Sequence, residues 1–217
     1  MKKVFAFVAV AAALMVAGKA NAQLSVNGGF MTNFDNPTYK YTNLSGKEEK
    51  NDTLYNSGFG VWAGVSYNID FSEHWGVAPG VYVNYVGDVD KTKAATTTVD
   101  MVDLNIPILF NYKKEFTSSF GIRGFVGPNI RYGVMAKSQV ESTVTNTNVK
   151  TNLYKKPSGA DHAPLTRTDL GLTIGVGVHF NAFQIQTGFN FGLLDRNPGK
   201  NVTLNMHQYF VGVGYVF

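Results

Sequence analysis

The sequence predicts an all-β fold: an eight-stranded antiparallel up-and-down transmembrane β-barrel. Three observations carry that expectation. Period-two alternation recurs along the chain after its first twenty-two residues, and helical periodicity is hard to find. One parity of every alternating stretch excludes charge, although Asp, Glu, Lys and Arg make up 16% of the chain. The opposite parity carries glycine and small polar residues where a water-facing surface would carry Lys and Glu.

Residues 1–22 stand apart from this pattern. Met1-Lys2-Lys3 is a basic start, Val4 to Ala17 is almost entirely apolar, and Ala20-Asn21-Ala22 is an A-x-A cleavage site. Together they predict a secretory signal peptide, too short to span a bilayer, ahead of a barrel domain over 23–217. No Cys follows the apolar run, which excludes a cysteine-linked lipid anchor. Cleavage removes Lys2, Lys3 and Lys19 but no acid, so most of the formal charge of +4 leaves with the signal. The sequence therefore offers no basic footprint for nucleic acid. The absence of Cys excludes disulfides, thiolate metal sites and a Cys nucleophile.

The strands follow in order. The first, 24–34, sets Leu24, Val26, Gly28, Phe30, Thr32 and Phe34 on one face. The second, 58–70, sets Phe59, Val61, Ala63, Val65, Tyr67 and Ile69 there, and the third, 75–86, Trp75, Val77, Pro79, Val81, Val83 and Tyr85. The fourth, 99–112, contributes Val102, Leu104, Ile106, Ile108, Phe110 and Tyr112. The fifth, 118–135, contributes the even positions from Phe120 to Val134. The sixth and seventh, 165–180 and 182–194, give the even positions from Leu170 to Phe180 and the odd ones from Phe183 to Leu193. The eighth, 202–217, ends in Tyr209, Val211, Val213, Tyr215 and Phe217. None of these positions is charged. That is the demand of a lipid face, where Arg or Lys costs about 2–4 kcal/mol at the midplane.

Length and connections agree. Ten residues at about 3.3 Å each, tilted by about 40°, span roughly the 25 Å apolar band of outer-membrane barrels. Long polar connections (35–57, 87–98, 136–164 and 195–201) alternate with short turns near 71–74, 113–117 and 181–182. This is the layout of long outer loops and tight periplasmic turns, and an even strand number puts both termini in the periplasm. Tyr67, Trp75, Tyr112, Phe116, Tyr209, Tyr215 and Phe217 fall near strand ends, as an interfacial aromatic girdle requires.

On the inward parity, small residues such as Gly60, Gly64, Gly175 and Gly188 leave room for Trp62, Tyr82, Phe125 and Phe210. The inward charges, Asp103, Arg123, Arg131, Arg167 and Asp169, are expected to form an ion-pair ladder, because a lumen charge needs a partner or water. Eight strands enclose little beyond their own side chains.

Three segments, 103–113 (DLNIPILFNYK), 124–135 (GFVGPNIRYGVM) and 169–195 (beginning DLGLTIGVGVHF), resemble the PorT-like outer-membrane β-barrel domain family of small eight-stranded barrels. The resemblance covers essentially all of 23–217. Asn105 stands where that family's pattern leads one to expect an acid before Ile106-Pro107. The resemblance implies fold and an outer-membrane location, and no defined activity.

The expected function is structural or interactive, through outer loops 35–57 and 136–164 meeting a surface partner, with no catalysis and no cofactor. A narrow small-solute pore and a lipid-modifying enzyme are the alternatives. An enzyme needs a nucleophile, base and acid in reach, and His74, His162, His179 and His207 are scattered. Scattered His without Cys makes no metal cluster, and glycines spaced along strands make no phosphate loop. The β-branched segment 138–154 suits either a hairpin above the membrane with an exposed edge or a disordered polar loop. Asp52-Thr53-Leu54 resembles a bacterial O-glycosylation tripeptide. Besides outer-membrane lipid, the expected partner is the barrel assembly machinery, with Tyr209, Val211, Val213, Tyr215 and Phe217 resembling its C-terminal recognition signal.

Overall fold

A computed structural model describes residues 22–42, 48–52, 55–92, 94–142, 147–199 and 202–217. The expected signal segment before Ala22, and Thr53-Leu54 of the candidate glycosylation tripeptide, lie outside the described residues. Ten strands are present among them: β1 (Ala22–Thr42), β2 (Glu48–Asp52), β3 (Tyr55–Asp70), β4 (Trp75–Lys91) and β5 (Ala95–Thr117) make up the first half. β6 (Phe120–Ser142), β7 (Thr147–Asn152), β8 (Thr168–Phe180), β9 (Phe183–Gly192) and β10 (Val202–Val216) complete the set. Every pairing is antiparallel.

Eight of these strands close a ring in the order β1–β3–β4–β5–β6–β8–β9–β10, and β10 pairs back onto β1 from Ser25↔Val216 to Tyr39↔Val202. Closure is what makes the fold viable in lipid, since it leaves no unpaired edge across the membrane. Both ends of the ring's chain path lie at the end bearing the short turns at 71–74, 118–119 and 181–182. The last of these is a two-residue hairpin whose first residue, Asn181, has φ +50°, a left-handed geometry that Asn tolerates.

The strands run past the predicted lipid-spanning limits at the opposite, loop end. β4 and β5 stay paired as far as Lys91↔Thr96, and β5 and β6 as far as Ala95↔Ser142. The sequence assigns much of this to loops because it is polar. Its Thr96-Thr97-Thr98 run is nevertheless β-branched and suits a ladder. β2 adds to the extended β1, and β7 adds to the extended β6. A four-stranded lobe, β4–β5–β6–β7, thus projects from the ring.

Two bulges adjust that end. Phe34 pairs with Asn56 whereas Thr32 pairs with Phe59, so β3 carries an extra residue where Gly58 adopts φ +131°. Only glycine takes that conformation cheaply. On β6, Val102 faces Met135 and Asp103 faces Gly133, which leaves Val134 unpaired. Beyond it the parity of β6 reverses, and Ala136 becomes fully buried.

The faces divide as the alternation requires. Phe30, Phe59 and Phe217 are 70%, 71% and 70% exposed, with Val61, Val83, Val176, Ile185 and Val213 on the same outer surface. Ile106 departs from its expected exposure: it is buried on that face, directly opposite Ile130. Pro79 is buried as well. At the turn end, Trp75–Tyr112 and Tyr215–Phe217 edge contacts, with centroids 5.0 and 4.9 Å apart, build an aromatic rim.

Candidate functional site: a lumen sealed in the middle and capped at the mouth

Glycine and aromatic residues together close the barrel at mid-height. Trp62 meets Tyr82 edge-on at 5.5 Å and Phe210 at 5.6 Å, while Phe210 stacks on Phe125 at 6.4 Å. Backbone at glycines makes the room. A Cβ at Gly212 would collide with the Trp62 ring, one at Gly175 with Phe125, and one at Gly188 would come within 2.9 Å of Phe210. The Trp62 indole N–H donates to the carbonyls of Phe30 and Val211, 3.2 and 3.3 Å away, so the ring is anchored on two strands. The cavity left beside this layer, about 40 Å³ and also lined by Asn84, Asn105 and Thr173, holds little more than one water.

Above the aromatic layer, toward the loops, lies the ion pair Arg131–Asp169, its side chains 1% and 0% exposed. The two residues face one another across the β6–β8 ladder. Arg131 also donates to the Met206 carbonyl at 2.5 Å, and the Leu194 backbone N–H donates to Asp169 Oδ1 at 3.3 Å. Asp103 is buried close by, with Oδ1 making no hydrogen bond among the described residues.

Arg196 is the residue that sequence reasoning missed. It sits in the connection assigned to 195–201, yet the chain folds back so that it is 1% exposed. Its guanidinium donates to the Tyr154 hydroxyl at 2.8 Å, to the Thr166 carbonyl at 3.1 Å and to Met206 Sδ at 3.3 Å. Burial alone would lower the pKa of this group. The nearby Asp103, the Tyr154 hydroxyl and Asp169 more than offset it and hold Arg196 above its ordinary value. Burial conversely pushes the Tyr154 hydroxyl up, against the pull of Arg196.

The cap itself is the segment between β7 and β8. Leu153 N–H donates to the Ala136 carbonyl at 2.9 Å and Leu165 N–H to that of Leu153 at 2.9 Å. Thr166 N–H donates to the Arg196 carbonyl at 2.8 Å. These bonds lay Tyr154 against Met101, Ala136 and Met206, with Val99, Leu165 and Leu204 packed around them. An apolar lid therefore covers the polar pair. No sequence period announces it, because the β7–β8 connection meets residues from the loop-end stretches of β5, β6 and β10.

The predicted five-charge group is divided among three places. Arg131 and Asp169 meet, with Asp103 in their neighbourhood. Arg167 lies at the mouth, 4.7 Å over the Tyr154 ring and donating to the carbonyls of Gly133 and Val134 at 2.8 and 3.1 Å. Arg123 stands on the other side of the aromatic layer, 5.3 Å over the Phe125 ring, and donates to Gln186 Oε1 at 2.8 Å and Asn68 Oδ1 at 3.5 Å.

The turn end opens into a vestibule of about 710 Å³ whose floor includes Arg123. Lys113 pairs with Asp70 at 2.8 Å, and His179 Nε2 lies 2.8 Å from Glu115. The other histidines are elsewhere: His74 against Tyr112, His162 beside the Ala163 carbonyl and His207 against Phe191. No serine hydroxyl bonds to any of them among the described residues. No group of three or more His, Asp or Glu suited to a metal ion occurs among those residues either. The C-terminal positions Val211, Val213, Tyr215 and Phe217 point outward along β10, and Tyr209 rests against Phe189 at 5.0 Å.

Solved structures similar to this chain include Ail, the attachment invasion locus protein of Yersinia pestis. It is 16% identical, covers 90% of this chain and 99% of its own, and has a TM-score of 0.42. The outer membrane protein OprG from Pseudomonas aeruginosa is 16% identical over 92% and 98%, with a TM-score of 0.43. The outer membrane protease OmpT from Escherichia coli is 7% identical over 94% and 100%, with a TM-score of 0.34. No curated protein matches the chain in sequence. The outer membrane protein beta-barrel domain family matches residues 17–196, a span holding seven of the eight ring strands, and the chain belongs to that family.

Proposed function

We propose that this outer membrane β-barrel protein is a non-conducting, non-catalytic barrel of the PorT-like kind that works through its loop-end lobe at the cell surface. The observation that carries this reading is the lumen. The Trp62–Tyr82–Phe125–Phe210 layer and the Tyr154 cap seal it twice. A solute path would have to displace both. The lobe supplies the working surface: among the described residues β7 pairs with β6 and with no second strand, and Val149 is 57% exposed. Such an edge recruits an extended peptide by strand addition. In this reading the turn end and both termini face the periplasm.

Two measurements test it. Planar-bilayer recordings of the refolded barrel should show no stable channel; a reproducible single-channel conductance would select the narrow-pore alternative. An epitope inserted at Ser158-Gly159 should be labelled on intact cells, and one appended after Phe217 should not. The reverse pattern would overturn the orientation.

A further inference from the structure

Among the described residues, the turn-end vestibule carries two charge pairs and an exposed Glu73 around its rim, and Arg123 at its floor. Asp70 accepts two 2.8 Å bonds from Lys113, and Glu115 is engaged by His179. Glu73 sits exposed in the turn at the lip. Arg123 has no carboxylate within ion-pair distance among the described residues. Its bonds run to two neutral amide oxygens, and the Phe125 ring closes off its far side. A guanidinium is a planar fork of donors that fits carboxylate or phosphate oxygens two at a time. Here it lies at the base of a cavity of about 710 Å³, within the range of small-molecule pockets. The Phe125 stack and the Gln186 bond hold the fork in place, so little ordering remains to be done when an anion arrives.

We infer that the turn-end vestibule is a binding pocket for a small oxyanion, a carboxylate or phosphate group, received by Arg123. The site is independent of the lobe, because it is entered from the turn end, and it shares with the sealed-lumen reading only the aromatic layer that forms its inner limit. With Asp70 held by Lys113 and Glu115 by His179, Arg123 at the floor is left to receive a single anionic group entering head first.

The full chain, labelled with ¹⁵N at arginine side chains and folded in micelles, is titrated with inorganic phosphate and separately with acetate. A saturable shift of the Arg123 Nε–Hε resonance is expected, with the relative strength of the two arms deciding between phosphate and carboxylate. Two variants guard against misfolding artefacts. Arg123→Gln removes the fork. Gln186→Glu keeps the shape and places a permanent carboxylate where the 2.8 Å amide contact now stands. Both should weaken the anion at least tenfold, read by calorimetry, and Gln186→Glu should also raise the unfolding temperature. No saturable shift at Arg123 with either anion, or equal affinity in Gln186→Glu and the unaltered chain, would overturn the assignment.

Discussion

Asp169 and Arg131 are almost wholly removed from water, in a place where the cost of an unpaired charge is greatest. Asp169→Asn leaves the guanidinium buried beside Asp103 and the Met206 carbonyl, and should destabilise the barrel by about 3–5 kcal/mol in urea unfolding. Replacing both partners, Arg131→Met with Asp169→Leu, should restore most of that loss, because an apolar pair of similar volume has no desolvation cost. A double variant as weak as the single one would show that the pair organises Arg196 and the cap as well. The pair itself was legible in the sequence: both residues fall on the inward parity, and each belongs to a strand with strong alternation. Arg196 was not. A residue in a polar connection carries no period, and its burial depends on where the cap from β7 to β8 comes to rest.

At the scale of the strand, lipid and water impose different rules on the same ladder. Within the membrane the rule is alternation without charge, which the sequence shows openly. Val211, central on the outer face of β10 and opposite Phe30, tests it: Val211→Lys should cost about 2–4 kcal/mol on folding into vesicles, and much less in the lobe at Val149. Equal penalties at the two positions would contradict the assigned lipid band. Beyond the membrane, pairing continues through Thr-rich and charged residues, so hydrophobic alternation fades while backbone hydrogen bonds do not. For that reason alternation underestimates the strand limits at the loop end, whereas the β-branched residues of 138–154 admit a hairpin as one of two readings, and β7 is found there. The parity reversal at Val134 was equally invisible, since a bulge changes the count of residues without changing their type. Glycine abundance announced a crowded lumen, but which ring each glycine accommodates, such as Phe125 at Gly175, depends on neighbours far apart in sequence.

For the molecule as a whole, the proposal that Tyr209 to Phe217 address the chain to assembly machinery predicts a specific separation of effects. Deleting Phe217, which is exposed at the turn-end rim and rests on Tyr215, should leave export intact and lower the amount of folded barrel in the outer membrane several-fold. Normal membrane levels on fractionation would sink it. The seam between β1 and β10 has a consequence for the order of events during biogenesis. Ser25 of β1 is the register partner of Val216 of β10, so the ring's first strand waits for its eighth. Until then β1 and β9 each present a row of unsatisfied peptide groups, which hydrocarbon cannot solvate. A seven-strand intermediate therefore has no comfortable residence in the bilayer, and the chain must be kept in water or in the grip of a helper until the fifteen residues of β10 arrive. Membrane insertion is consequently a single committed event, timed by the arrival of β10.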